Sequence, residues 1–164
     1  MANGLVYIYT GDGKGKSPAA LGRALQAAME GRYVVIIQFL KGNGSKNAEF
    51  LRRMEPEIKL FTFEKSDESY EALSEDKKQE EIANIKNEIN FAKKVLATRE
   101  CDLLILDEVL RLVEKEIVSV QDLEALLECR GDTDIILTGA KAGEEICKLA
   151  DMVSRIETFR KESH

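Results

Sequence analysis

The residues with the plainest chemical purpose are Thr10-Gly11-Asp12-Gly13-Lys14-Gly15-Lys16-Ser17. Alternating glycines let the backbone curl, so that successive N–H groups face one point and cradle phosphate oxygens. Lys16 reaches such a phosphate as a compact positive charge, and the Ser17 hydroxyl is a hard oxygen ligand of the kind Mg²⁺ takes. This spacing supports binding of a nucleoside triphosphate with Mg²⁺. The expected nucleotide-binding set is Gly11, Asp12, Gly13, Lys14, Gly15, Lys16, Ser17 and Pro18. The glycines alone fit a surface turn before a helix; Gly-Lys-Ser between a strand and a helix favours the phosphate loop. Two details depart from the common pattern. Thr10 holds the place of the usual first glycine, so that Gly11 comes one position late. Pro18 brings no N–H to a phosphate, although it suits the first turn of a helix.

A second set of residues completes such a site. The apolar run 103–106 ends in Asp107 and Glu108. Adjacent acids repel, and a bound cation relieves that repulsion. Alone, the pair reads as a strand reaching the surface; with Gly15-Lys16-Ser17 it reads as a Mg²⁺ partner. The candidate metal set is Ser17, Asp107 and Glu108, with Asp107 the direct or water-mediated ligand and Glu108 a ligand or a guide for a substrate group. Lys16 and Glu108 are the candidate catalytic residues. The strand that ends in Asp107 is expected beside the strand that feeds the loop.

These residues need rigid elements to hold them. Apolar runs at 5–9, 33–39, 58–62, 102–107 and 134–138, with a weaker one at 152–156, read as strands. Near-continuous apolar character implies strands buried on both faces, hence a parallel sheet. The helical stretches between them imply an α/β fold of the P-loop (RecA-like), doubly wound type: a mostly parallel sheet of five or six strands with helices on both faces. Residues 19–25 open the helix after the loop. The longest helix is expected at 74–99, capped at Ser74, with Ile82, Ile85, Ile89, Ala92 and Leu96 as its apolar stripe and the charged residues between as a solvated face. A second is expected at 119–129. Residues 42–47 read as a flexible turn and 64–74 as a mobile polar loop.

The 164 residues fit one nucleotide-binding domain spanning 1–164. A net charge of −6 argues against general nucleic-acid binding. Cys101, Cys129 and Cys147 form no CxxC pair and read as reduced thiols of a cytoplasmic protein, Cys101 and Cys147 near the core. His164 is the only histidine, which leaves a histidine-based triad or metal site without its residues. No apolar run approaches the ~20 residues of a membrane span.

In order along the chain, residues 4–17, 19–22, 35–42, 104–108, 136–139 and 149–154 resemble the ATP-dependent corrinoid adenosyltransferases. The late glycine of the loop is part of that resemblance, and Val35-Ile36-Ile37-Gln38-Phe39-Leu40-Lys41-Gly42 is its most distinctive phrase. The resemblance implies ATP and Mg²⁺, with a reduced corrinoid (cobalamin or a precursor) as substrate. It implies Co(I) as nucleophile on the 5′ carbon of ATP and the whole triphosphate as leaving group. It further implies a nucleotide lying in the loop in the reverse of the ordinary sense, a reductase partner and a homodimer. Phe63, Lys41, Asn43 and the 64–74 loop are the corrinoid-side elements it suggests; Phe63 also reads as a core aromatic and the others as solvated loops. The chain departs from the family at Pro18, at Gln26 and Ala140 where arginines are common, after Glu108, and in the tail 158–164, and it has no tryptophan. A nucleotide-binding protein of the same fold without transfer, or a P-loop ATPase, are the other readings; no arginine finger or catalytic base stands out, and Arg23, Arg111 and Arg130 read equally as surface residues.

Overall fold

A computed structural model describes residues 3–40, 46–63 and 69–162. Lys41, Asn43 and the 64–68 part of the loop lie outside the described residues. The strands are β1 (Val6–Thr10), β2 (Val34–Gln38), β3 (Ile58–Thr62), β4 (Leu103–Asp107), β5 (Asp134–Thr138) and β6 (Met152–Arg155). The helices are α1 (Lys16–Met29), α2 (Lys46–Leu51), α3 (Glu75–Ala97), α4 (Val109–Glu114), α5 (Val120–Glu128) and α6 (Glu144–Cys147). Together the strands form one sheet in the order β3-β2-β4-β5-β1-β6, every neighbouring pair parallel.

Strand alternation divides the core in two. Val6, Ile8, Val35, Ile37, Leu104, Leu106, Ile135 and Leu137 pack with α3, α4 and α5 on one face. Val34, Ile36, Leu103, Ile105 and Ile136 pack with Ala20, Ala24 and Ala27 of α1 and Leu51 of α2 on the other. Both faces are therefore covered, as the continuous apolar runs require. Small alanines on the buried stripe let α1 lie close to the sheet, and this holds its first turn at the strand ends.

One expectation about the sheet is corrected. β4 does not lie beside β1; β5 is inserted between them. The loop strand and the acid strand are thus two strand spacings apart, roughly 9–10 Å, and a side chain from β5 stands between them.

The long helix is also less simple than its pattern. Ser74 caps α3 by accepting the Lys77 N–H at 3.4 Å. Ile85, Ile89, Ala92 and Leu96 of the expected stripe are buried, Ile82 is half-buried and Val95 joins the buried set, but Glu81 and Glu88 are buried with them, so the charged positions do not all face solvent. Ser119 and Asp122 form a reciprocal capping box at the start of α5. Of the segment expected as a polar loop, residues 70–72 form a 3-10 turn and Leu73 is buried. Glu71 of that turn pairs with Lys115 and with Arg111 of α4, and the Tyr70 ring lies under the ammonium groups of Lys78 and Lys115. Cys101 is a core residue: burial pushes its thiol up to about 12, with the Asp102 carboxylate adding to the shift. Cys129 is exposed. Among the described residues no helix is long and apolar enough to cross a membrane.

Candidate nucleotide site

β1 delivers the chain into the loop 11–15, and α1 begins at once with Gly15 as N-cap. Gly11 has φ +115°, a conformation that side-chain-bearing residues rarely adopt, and a Cβ there would collide with Ile156 O. The Gly11 N–H donates to Ala140 O at 3.1 Å, the Gly13 N–H to Ile156 O at 2.9 Å, and the Ile156 N–H to Thr10 O at 2.7 Å. The segments following β5 and β6 therefore fasten the first half of the loop. The N–H groups of Asp12 and of residues 14–17 make no such loop-fastening bond among the described residues. Lys16 Nζ donates to Gly13 O at 3.1 Å, which curls the side chain over the loop. Pro18 is the third residue of α1, in the turn whose N–H groups have no partner inside the helix.

Substituting Gly11 with alanine therefore strains the backbone and drives a methyl into Ile156 O. We expect the folded protein to lose about 1–3 kcal/mol of stability, read as a lowered urea midpoint at unchanged m-value.

Ser17 Oγ donates to Asp107 Oδ1 at 2.7 Å. The two residues that sequence spacing assigns to one cation thus meet, although they are 90 positions apart. Asp107 is 3% exposed. Thr138 Oγ1, at the end of β5 and fully buried, donates to the same carboxylate oxygen at 2.8 Å and accepts the Glu108 N–H at 2.8 Å. Glu108 is half-buried and left-handed at φ 67°, an uncommon conformation for a residue with a side chain. It turns the chain sharply from β4 into α4. A Cβ on Gly139 would collide with Leu110 Cβ, so the end of β5 and the first turn of α4 lie in direct contact.

A cavity of about 150 Å³ adjoins Ser17 and Asp107, walled by Pro18, Leu21, Ile36, Leu51 and Ile105, with Gln38 at its polar end. Gln38 pairs with Asp107 in the β2–β4 register. The buried Gln38 Oε1 and Thr10 Oγ1 have no hydrogen-bond partner among the described residues. Thr138 and Gln38 are the site residues that motif reasoning passed over. Their signal was a polar side chain closing an apolar strand, in the same place as Asp107 closes β4.

The donor set suits Mg²⁺. It offers a hydroxyl and carboxylates, all hard oxygens, and too few of them to enclose an ion without phosphate and water. Among the described residues no group of three or more His, Cys, Asp or Glu side chains is assembled for a metal.

The remaining candidates lie elsewhere. Phe61 and Phe63 pack on Phe91 of α3, with ring centroids 4.8 and 5.3 Å apart, at the β3 edge of the sheet. Arg23 lies over the Tyr7 ring, Arg111 pairs with Glu71, and Arg130 bonds Gly4 O and Leu127 O. Each of the three arginines thus has a structural contact.

This geometry sits in a chain matched over residues 2–164 by the family described as ATP:corrinoid adenosyltransferase BtuR/CobO/CobP. The chain belongs to that family. Corrinoid adenosyltransferase from Escherichia coli (strain K12) is 29% identical over 161 residues, covering 96% of this chain and 78% of that protein. Corrinoid adenosyltransferase CobA from Salmonella typhimurium has the same identity and coverage. Among solved structures, the KaiC-like protein PH0186 from Pyrococcus horikoshii OT3 superposes with a TM-score of 0.62 at 19% identity, over 96% of this chain and 73% of that one. This likeness supports the P-loop fold. The resemblance carried by the loop, the second-strand phrase and the Asp-Glu pair is thus a family relationship, and this member keeps its loop hydroxyl and strand-end acid in contact.

Proposed function

We propose that this family member transfers the 5′-deoxyadenosyl group of ATP to a reduced corrinoid. The observation that carries the reading is the 2.7 Å contact between Ser17 Oγ and Asp107 Oδ1 at the head of a parallel sheet, in a chain of corrinoid adenosyltransferase kinship. The Co(I) of the corrinoid substrate supplies the electron pair for a new cobalt–carbon bond at C5′. The C5′–oxygen bond breaks and the triphosphate leaves with its electrons.

That reaction asks the protein for no nucleophile. It asks for alignment and for stabilisation of the charge that gathers on the leaving triphosphate. The amides of residues 14–17 face that charge, and Lys16 moves from Gly13 O to the phosphates. Ser17, Asp107 and Glu108 would hold Mg²⁺, which neutralises phosphate charge when bound. A cytoplasmic homodimer served by a reductase completes the proposal.

Phosphorus NMR of the products tests it. Stoichiometric inorganic triphosphate in the presence of Mg²⁺ and reduced corrinoid supports transfer. ADP with phosphate points to a P-loop ATPase, and bound, unreacted ATP points to a member that kept the fold and lost the reaction.

A further inference from the structure

Because β5 separates β1 from β4, the loop and the acid strand cannot bond to each other through their backbones. Side chains make the connection: Ser17 Oγ bonds Asp107 directly, and Thr138 of the intervening strand bonds the same carboxylate oxygen. A threonine hydroxyl has one proton and two lone pairs. Here the proton goes to Asp107 Oδ1, and a lone pair takes the Glu108 N–H. Asp107 Oδ1 thus lies between two hydroxyl donors, Ser17 from α1 and Thr138 from β5. Rotation of the carboxylate breaks both bonds together. The bond to the Glu108 N–H also helps hold that residue left-handed, a state that persists only where the surroundings over-determine it.

We infer that Thr138 is a positioning residue: it fixes the orientation of the Asp107 carboxylate toward Ser17 and the turn that aims Glu108, and so sets the strength with which the site holds a divalent cation beside a nucleotide. The part concerning the cation rests on the nucleotide reading above; the part concerning Asp107 and Glu108 rests on the protein alone. Thr138 touches neither phosphate nor corrinoid in this role. It acts through its two neighbours, and its hydroxyl is the group that matters. Thr138→Ser keeps that hydroxyl, whereas Thr138→Val keeps the shape and loses it.

Amide hydrogen exchange on the ligand-free chain tests the first part. In Thr138→Val the Glu108 amide exchanges at least tenfold faster, while the amides of Leu104 and Ile105 keep their protection; Thr138→Ser restores the wild-type rate at Glu108. Unchanged exchange at Glu108 overturns the inference. So does a loss of protection spread evenly over β4 and β5, which marks Thr138 as a packing residue only. If the valine variant does not fold, Thr138→Ala is judged by the same criteria. A Mg²⁺ titration of ATP binding tests the second part. Thr138→Val should need about tenfold more Mg²⁺ for half-saturation, with metal-free ATP affinity unchanged. Wild-type protein that ignores Mg²⁺ contradicts the nucleotide–metal reading and the cation half of the inference, while the exchange experiment still decides the positioning of Glu108. A wild-type Mg²⁺ response that survives unaltered in the valine variant overturns the cation half alone.

Discussion

Lys16→Ala abolishes measurable ATP binding and leaves the fold intact. The ammonium has one described bond, to Gly13 O at 3.1 Å, and the residue is half-buried on the first turn of α1. Its removal costs the fold little, because a half-exposed hydrogen bond contributes about 1 kcal/mol or less. The loss in binding is much larger. Charge-assisted hydrogen bonds are worth about 1.5–3 kcal/mol each, and a lysine ammonium has three donors to place among phosphate oxygens. Loss of two such bonds weakens Kd by at least roughly 100-fold, at about 1.4 kcal/mol per factor of ten. Titration calorimetry measures the affinity and thermal unfolding checks the fold. A variant that is folded and binds ATP as the wild type does removes 11–17 from the nucleotide site.

Asp107→Asn has the second large effect and a different signature. The substitution keeps side-chain volume and removes the charge. The amide oxygen still accepts the Ser17 and Thr138 hydroxyls, so the hydrogen bonds at 2.7 and 2.8 Å keep their directions. The variant therefore folds and binds metal-free ATP normally. It loses the gain in affinity that Mg²⁺ confers, and its transfer rate falls by about 100-fold or more, the scale of losing several kcal/mol of leaving-group stabilisation. ATP titrations with Mg²⁺ and with chelator separate the two terms. A wild-type Mg²⁺ response in this variant moves the cation away from Asp107. Equal losses with and without Mg²⁺ make Asp107 a structural residue.

Most of the fold was legible because parallel strands buried on both faces write themselves as unbroken apolar runs. All six appear close to their expected limits, with 58–62 and 134–138 unchanged. The order of strands was not legible. Nothing local in 134–138 says that β5 inserts between β1 and β4, because order follows from the crossovers and not from side-chain period. The short helices also escaped. α2, α4 and α6 have six, six and four residues, too few turns for a periodic stripe to stand out. Glu81 and Glu88 read as solvated because charge was taken as a marker of exposure; on a helix that packs along much of its length, some charged positions fall on the covered side.

The site divides in the same way. Ser17 and Asp107 were visible from residue type and setting, since each lies where an apolar element meets a polar end. The residues that hold them were not. Ile156 fastens the loop through its backbone oxygen and its N–H, and any residue but proline offers the same two groups. Thr138 resembled an ordinary strand-ending threonine until the fold set its hydroxyl beside both acids. Phosphate-binding loops announce themselves because glycine, lysine and serine are needed as types; their supports are chosen by distance, which sequence does not carry.

The most direct test of the account combines the protein, ATP, Mg²⁺ and chemically reduced corrinoid under anaerobic conditions and follows the corrinoid absorbance together with phosphate products. A corrinoid adenosyltransferase converts the corrinoid to its adenosylated form with one inorganic triphosphate released per turnover, and this conversion is lost in Lys16→Ala. Unchanged corrinoid with ADP and phosphate accumulating, or ATP bound and intact, contradicts it.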